Sequence, residues 1–242
     1  MEHNFPTRNK DLNILILTLL EDPRNALIVN KMTKRYSDNE NLWRNRFMCL
    51  YPENFETVKF LKQRSWKVFS LLLMKYLDKS NRDYNIAMKL AAQEGYRDLV
   101  DFFISKGANA WDYAMGGASK GGHRDLVDFF ISKGADNWNN GMHGASRGGH
   151  QDLVDFFISK GADYWNYSMH YAARGDHRDL VVFFISKGAC FWNYAMEGAA
   201  KGGHRYLVDF FISKGAGYWN RAMHFAKQGG HQDLVDFFKS KH

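Results

Sequence analysis

The sequence is poor in proline and cysteine, and it has no long apolar run. Its 242 residues include three prolines and two cysteines. Cys49 and Cys190 are far apart and have no metal-like spacing, which excludes a disulfide framework and a zinc module. The longest apolar runs, 14–20 and 68–74, are too short to span a bilayer, and the polar N-terminus has no signal-peptide core. We therefore expect an intracellular protein, in the cytoplasm or nucleus, with no membrane partner.

A concentrated basic patch is also missing, although the net charge is +7. Residues 1–83 carry +5, from 15 basic and 10 acidic residues, and residues 84–242 carry +2, from 18 and 16. Nucleic-acid-binding domains usually concentrate Lys and Arg on one face. The charge pattern disfavours a nucleic-acid partner, and a nucleic-acid-binding N-terminal segment remains the weaker alternative.

What the sequence has in abundance is repetition. The stretch GGHRDLVDFFISKGAD at 121–136 returns with small changes every 27 residues, and a Trp or Tyr marks the start of each copy. Periods of 20 to 50 residues are typical of solenoids, in which each unit buries its apolar face only against its neighbours. Six units result: 84–110, 111–137, 138–164, 165–191, 192–218 and 219–242.

Each unit has the pattern of two short helices. Numbering the unit from its Trp or Tyr, position 2 is always Asn or Asp, which predicts the N-cap of a first helix. Glycines at positions 11 and 12 predict its end, and RDLVDFFISK then predicts a second helix that ends before Gly134. Positions 5, 8, 16, 17, 19 and 20 do not vary, so we expect them in the core.

The repeat resembles the ankyrin repeat. The order GH, two residues, LV, one residue, FFI, two residues, GA matches the second helix of that family, and AMxxAA stands where the family has Pro-Leu-His-x-Ala-Ala. The unit has 27 residues instead of the family's usual 33, and Thr-Pro is replaced before Met. The resemblance implies an all-α, ankyrin-like solenoid of helix-turn-helix repeats with shortened or absent β-hairpins.

Residues 1–52 resemble an F-box. An apolar LNILILTLL helix, an Asp22-Pro23 break, ALIVNKMTKRYSD and the pair Leu42-Trp43 follow the order of that family, although its Leu-Pro opening is missing. The resemblance implies binding to the Skp adaptor of a cullin-RING ubiquitin ligase. The residues that would bind it are Leu12, Leu15, Leu17, Leu20, Leu27 and Trp43. Alternatively, these helices only cap the array.

Residues 53–83 form a basic amphipathic pattern that predicts a connecting helical segment capping the array. A basic amphipathic helix can also bind membranes or calmodulin-like proteins, and we favour the connecting role.

No catalytic or cofactor motif is present in the sequence, and we expect neither an enzyme nor a bound metal. Each unit from the second onward has a histidine at position 13, such as His123. One histidine per layer leaves neighbours about 8–10 Å apart, too far to share one zinc ion. We expect these histidines to bond to neighbouring backbone.

The variable positions of the first helix predict a partner-binding groove, because in the ankyrin family the first helices line the concave surface. Tyrosine beside Arg or Lys is typical of binding hot spots and suits an acidic or aromatic protein surface. The candidate residues are Tyr113, Tyr167, Tyr194, His143, His170, Lys120, Arg147, Arg174 and Lys201. Neutral drift of exposed positions is the alternative.

A second candidate is a small apolar patch on the opposite, convex face, where Val182 and Tyr206 replace aspartates of the repeat.

Together these patterns favour a protein–protein interaction adaptor that presents a bound protein to a ubiquitin ligase. The domain order resembles that of F-box-like ankyrin proteins of large DNA viruses of amoebae, which implies a viral protein acting on a host factor. The alternative is a ligase-independent scaffold that binds or sequesters its partner.

Overall fold

The computed structural model describes residues 66–241, and every regular element in that range is an α-helix. The F-box-like region 1–52 and residues 53–65 of the connecting segment lie outside the described residues. The described chain divides into two compact units, which we treat separately. One contains residues 66–84 and 101–107, and the other contains residues 85–100 and 108–241.

The helices follow the predicted repeats. They are α1 (Trp66–Lys79), α2 (Tyr84–Gln93), α3 (Arg97–Ser105), α4 (Trp111–Gly121), α5 (Arg124–Ser132), α6 (Trp138–Gly148), α7 (Gln151–Ser159), α8 (Trp165–Arg174), α9 (Arg178–Ser186), α10 (Trp192–Gly202), α11 (Arg205–Ser213), α12 (Trp219–Gly229) and α13 (Gln232–Lys239). After α1 there is one pair of helices for each repeat. The prediction of an all-helical repeat solenoid is confirmed, and no strand occurs within residues 66–241.

The first helices stop at glycine, as the Gly-Gly pairs predict. The residue after α4, Gly122, has φ 76°, a left-handed conformation that residues with a Cβ rarely adopt. Asp176 occupies the same position in the fourth repeat and also lies in the left-handed region, at φ 61°. Aspartate tolerates this conformation better than most residues, which explains why the departure does not disturb the fold.

The core lies between the layers. First helices of successive repeats pack side by side, α4 on α6, α6 on α8, α8 on α10 and α10 on α12, and each contacts its own second helix. The invariant Met115, Ala118, Leu126 and Phe130 are fully buried or nearly so. Neighbouring first helices approach closely, because a Cβ on Gly144 would overlap the carbonyl oxygen of Gly116.

The prediction that position 19 is a core position is wrong for the second to sixth repeats. Phe129 is only partly buried, and the guanidinium carbon of Arg97 lies 3.6 Å from the centroid of its ring. The same cation–π contact joins Arg124 to Phe156 at 3.8 Å. The phenylalanine therefore covers the outer surface of its layer and binds the arginine of the preceding one.

The predicted N-cap role of position 2 is also wrong. Helix α4 already begins at Trp111, so Asp112 lies inside its first turn. Its Oδ1 atom accepts hydrogen bonds from the backbone N–H groups of Asp136 and Asn137, at 2.9 and 2.8 Å. The side chain thereby supplies an acceptor for two loop N–H groups at the boundary with the next repeat. The same pair of bonds is accepted by Asn85, Asn139, Asn166 and Asn193.

The position-13 histidines also join successive layers. The ring of His150 occupies the space that side chains at Gly122 and Gly148 would fill. Its Nε2 atom donates to the carbonyl oxygen of Lys120 at 3.2 Å. Equivalent bonds are made by His123, His177 and His204, at 3.1 to 3.2 Å. The expected bond to neighbouring backbone is confirmed for these four. We call the position-2 and position-13 side chains, with the glycines that the histidines cover, the seam.

Candidate functional site

The predicted partner-binding residues lie on one face of the first helices. In α4, Tyr113 and Lys120 are seven residues apart, so they share a face two helical turns in length. Tyr113 is 41% exposed, and the ammonium of Lys89 lies 3.8 Å from the centroid of its ring. Because the first helices pack side by side in chain order, the equivalent residues of α4, α6, α8 and α10 form a row from one layer to the next. We call this surface the aromatic–cationic face.

Aromatic rings cluster on this face in the third to fifth repeats. The centroids of His143 and Tyr171 are 5.2 Å apart, and those of Tyr167 and Tyr194 are also 5.2 Å apart. Tyr167 remains 48% exposed. Rings at these separations attract one another and restrict each other's rotation. The cluster is therefore a pre-ordered surface of aromatic edges and faces.

His170 is the buried floor of the cluster. Its ring stacks on Tyr194 with centroids 4.1 Å apart, and its Nδ1–H donates to the Tyr194 carbonyl oxygen at 2.7 Å. Burial lowers the pKa of His170 to about 4, helped by the positive charges of Arg174, Lys201 and Arg147 and opposed by the bond to Tyr194. A neutral imidazole at this position shapes the face and gives it no positive charge.

His143 is the second mostly buried imidazole. Its Nε2 atom is buried and has no hydrogen-bond partner in the described part of the chain. Burial, with a smaller contribution from His170, lowers the pKa of His143 to about 4. A buried nitrogen without a partner costs free energy.

A row of cations follows the aromatic cluster along position 10. In chain order the six residues are Gln93, Lys120, Arg147, Arg174, Lys201 and Gln228. The terminal glutamines bind the neighbouring lysines, since Lys120 Nζ donates to Gln93 Oε1 at 3.0 Å and Lys201 Nζ donates to Gln228 Oε1 at 2.9 Å. The lysines are thereby held, and the two arginines occupy the middle of the row.

The central arginines lack a carboxylate. No Asp or Glu of residues 66–241 lies within ion-pairing distance of Arg147 or Arg174. Partial burial lowers the pKa of both guanidinium groups, and the charge of Arg147 lowers that of Arg174 further. Tyr171 acts in the opposite direction on both arginines. These neighbouring positive charges are partly desolvated, so an anion placed between them would be strongly attracted.

Two acidic residues lie near this face in the described part of the chain, and neither is paired with Arg147 or Arg174. Glu197 is buried and forms an ion pair with Arg221, whose Nε lies 2.7 Å from its carboxylate. Glu94 lies close enough to Lys120 to oppose, weakly, the lowering of its pKa by burial and by the neighbouring cations. The middle of the row therefore stays positive.

Two groups of aromatic residues escaped the sequence prediction. Position 27 is aromatic in three successive repeats, and these side chains are 54 to 60% exposed: Tyr164, Phe191 and Tyr218. Tyr171, at position 7, joins the ring cluster through His143. Variation at both positions was the available signal, but the sequence did not show that position 27 ends beside the first helix.

The convex candidates Val182 and Tyr206 are 61% and 59% exposed. Both substitutions change the surroundings of one arginine, Arg178. In the second and fifth repeats the equivalent arginine pairs with the aspartate four residues later, as Arg124 does with Asp128 at 3.0 Å. Arg178 has Val182 there, and it instead pairs with Asp176 at 3.3 Å and lies 4.1 Å from the Tyr206 ring centroid. The three departures from the repeat thus compensate each other locally, which favours repeat drift over a binding patch.

No cluster of His, Cys, Asp and Glu within residues 66–241 has the geometry of a metal site. No helix in that range is long and apolar enough to cross a membrane. The residues predicted to bind the ligase adaptor, Leu12, Leu15, Leu17, Leu20, Leu27 and Trp43, lie outside the described residues. No family model matches this chain, and no curated protein matches it either.

Proposed function

We propose that this chain is a protein-binding adaptor whose aromatic–cationic face holds an acidic segment of its partner. The observation that carries the proposal is the pair Arg147 and Arg174, which are partly buried, have no carboxylate partner among residues 66–241 and share their face with exposed tyrosine rings. Desolvated arginine next to tyrosine is the composition of interface hot spots. A carboxylate of the partner can bind each guanidinium with two parallel hydrogen bonds.

A protein partner explains this face better than a nucleic acid does. Residues 84–242 carry a net charge of only +2, and the positive charge is limited to one row. Protein surfaces that bind nucleic acid contact many phosphates and therefore carry Lys and Arg over a wider area. The salt dependence of the affinity distinguishes a protein partner from a nucleic acid, because each phosphate that the protein neutralises makes this dependence steeper.

Charge reversal on the face tests the proposal. The full chain carrying Arg147→Glu and Arg174→Glu should lose the proteins that the wild type retains in affinity purification. Arg205→Glu is the matched control, because Arg205 is an exposed arginine on a second helix, paired with Asp209. Partners retained equally by both variants and the wild type would contradict the proposal, provided that circular dichroism shows both variants folded.

The ligase connection is the second half of the proposed function. It rests on the F-box-like order of residues 12–43 in the sequence. The full chain should bind a purified Skp-type adaptor, and Leu15→Asp with Leu17→Asp should abolish that binding while the partner stays bound to the repeats. A wild-type chain that does not bind the adaptor would leave the repeats as a ligase-independent scaffold.

A further inference from the structure

We infer that the partner segment on the aromatic–cationic face is an extended, proline-containing stretch in the polyproline II conformation, with an acidic side chain at every third residue. The inference rests on the proposed function and specifies the chemistry of its occupant. It follows from three features of the face: its period, the nature of its exposed apolar residues, and the way the cations are held.

The distance between successive cations indicates how far apart the acidic side chains of the partner segment should be. One cation projects from each of α4, α6, α8 and α10, and these helices pack so closely that a Cβ at Gly144 in α6 would overlap the backbone of α4. Packed helices lie about 8–10 Å apart, which sets the spacing of the row. Three residues of polyproline II advance about 9 Å and return to the same side of the segment. A β-strand returns to the same side after about 7 Å and would fall out of register within two layers.

The exposed apolar side chains separate an extended segment from a helical one. A partner helix could also match the period, since seven residues advance about 10.5 Å. Partner helices dock through aliphatic and aromatic anchors in a hydrophobic groove. The large exposed apolar residues of the first helices and the loops before them are aromatic: Tyr113, Tyr164, Tyr167, Phe191 and Tyr218. Among described residues the one exposed aliphatic in that class, Val182, lies on a second helix.

Aromatic surfaces of this kind suit proline. Proline-rich segments pack their rings against tyrosine and tryptophan side chains, and they lose little entropy because the conformation is formed before binding. Tyr164 and Tyr167 have ring centroids 5.9 Å apart and both remain about half exposed. The cation row lies about two helical turns further along the first helices, since Tyr167 and Arg174 are seven residues apart in α8. A segment that lies between the rings and the cations can place prolines on the rings and carboxylates on the arginines.

The cations are held in place before the partner arrives. Lys120 and Lys201 are each fixed by a glutamine of the adjacent outer repeat, and Arg147 and Arg174 are restricted by their partial burial. Ordered cations discriminate between spacings of carboxylates, whereas flexible surface lysines would accept any acidic segment. The face should therefore recognise the register of the acidic residues as well as their number.

A peptide panel tests the register. The probe is a fluorescent, end-capped peptide of four Glu-Pro-Pro triplets, measured by anisotropy against the full chain at low ionic strength. The comparison peptides are one of the same composition with its four glutamates adjacent, a helical peptide with glutamate at every seventh residue, and a single-stranded oligonucleotide. We expect the triplet peptide to bind at least about fivefold more tightly than each of the three.

Matched variants locate the binding. Arg147→Gln with Arg174→Gln should weaken triplet binding by at least about tenfold, and Arg124→Gln with Arg205→Gln should change it by less than about twofold. Thermal unfolding checks that both double variants fold. Equal or tighter binding of the adjacent-glutamate, helical or oligonucleotide probe would overturn the inference, as would equal loss in the two double variants.

Failure of the inference and failure of the proposed function give different results. If no triplet peptide binds but charge reversal at Arg147 and Arg174 still releases the natural partner, the extended register is wrong and the binding face is right. If charge reversal leaves the partner bound, the proposed function itself is wrong.

Discussion

The seam and the aromatic–cationic face belong to the same repeats but differ in how much they vary along the chain. The seam is nearly identical from layer to layer: the histidine bonds of the second to fifth repeats are 3.1 to 3.2 Å long, and the position-2 bonds of the first five repeats are 2.8 to 3.0 Å long. On the face, position 6 is lysine, glycine, histidine, histidine, glutamate and histidine in turn. Residues that join layers are repeated, and residues of the face differ from one layer to the next.

The largest expected effect comes from filling the seam. Gly148→Ala places a Cβ against the carbonyl oxygen of Lys120 and the ring of His150. Alanine normally stabilises a helix by about 1 kcal/mol relative to glycine. Here overpacking should outweigh that gain and lower the free energy of unfolding by about 2–3 kcal/mol. Chemical denaturation monitored by circular dichroism measures it.

Gly217→Ala is the matched control for this experiment. A Cβ at Gly217 has only the Trp219 ring within 4 Å, at 3.9 Å. Its stability should stay within about 0.5 kcal/mol of the wild type. A Gly148→Ala chain as stable as the wild type would show that the layers can separate, and the distinction between seam and face would lose its basis.

A smaller effect is expected at position 2. Asn166→Ala removes the acceptor of the Cys190 and Phe191 backbone N–H groups, both bonded at 2.8 Å. Both N–H groups lie in an exposed loop, where water can replace the lost acceptor, so the substitution should cost about 0.5–1.5 kcal/mol, measured by the same denaturation. Asn166→Asp keeps the oxygen, as Asp112 does in the second repeat, and should restore most of the loss. If aspartate were no better than alanine, the hydrogen bonds would not be the source of the effect.

The third prediction concerns the loss of stability at low pH that two buried histidines of the aromatic–cationic face should cause. The pKa of His143 and His170 is about 4 in the folded chain, below the ordinary value of 6.5. The unfolded chain therefore binds protons on these groups at higher pH. Their contribution to stability is complete above pH 6.5 and is lost as the pH falls toward 4. Each imidazole should cost about 1 kcal/mol between pH 7.5 and 5.5.

Denaturation at the two pH values tests this sign. The double variant His143→Gln and His170→Gln should lose less stability on acidification than the wild type does. His224→Gln is the matched control, because His224 occupies the same position in the last repeat but is exposed. It should retain the acid sensitivity of the wild type. Equal sensitivity in all three chains would contradict burial as the cause of the lowered pKa.

The helical layers could be predicted from the sequence because period, helix stops and apolar spacing all agree. Where one residue type suits two roles, the prediction failed. Asparagine at position 2 is a good N-cap, but here its oxygen faces the next repeat's loop, a contact between residues 24 and 25 positions apart. Invariant phenylalanine suggests a core, yet Phe129 lies partly at the surface beneath an arginine.

The candidate face was predicted in part. Variation among repeats selected positions 3, 6 and 10, and the structure places Tyr113, Tyr167 and the cation row on one side of the first helices. Variation alone could not show which side chains are buried, since position 6 varies among the repeats and yet His170 at that position is buried. Nor could it show that Tyr164 and Tyr171 join the same cluster, because that depends on how α8 lies beside α6.

The sameness of the seam has a consequence for how this surface can change. Between the inner repeats the seam places a backbone carbonyl for the histidine and a side-chain oxygen for the loop in nearly the same way, so an inner repeat can exchange places with another and still make these contacts. The order of charges and rings along the face can then be rewritten by shuffling or duplicating 27-residue blocks, with no new core to be found. A chain of this kind can acquire a new partner by recombination before any single residue mutates.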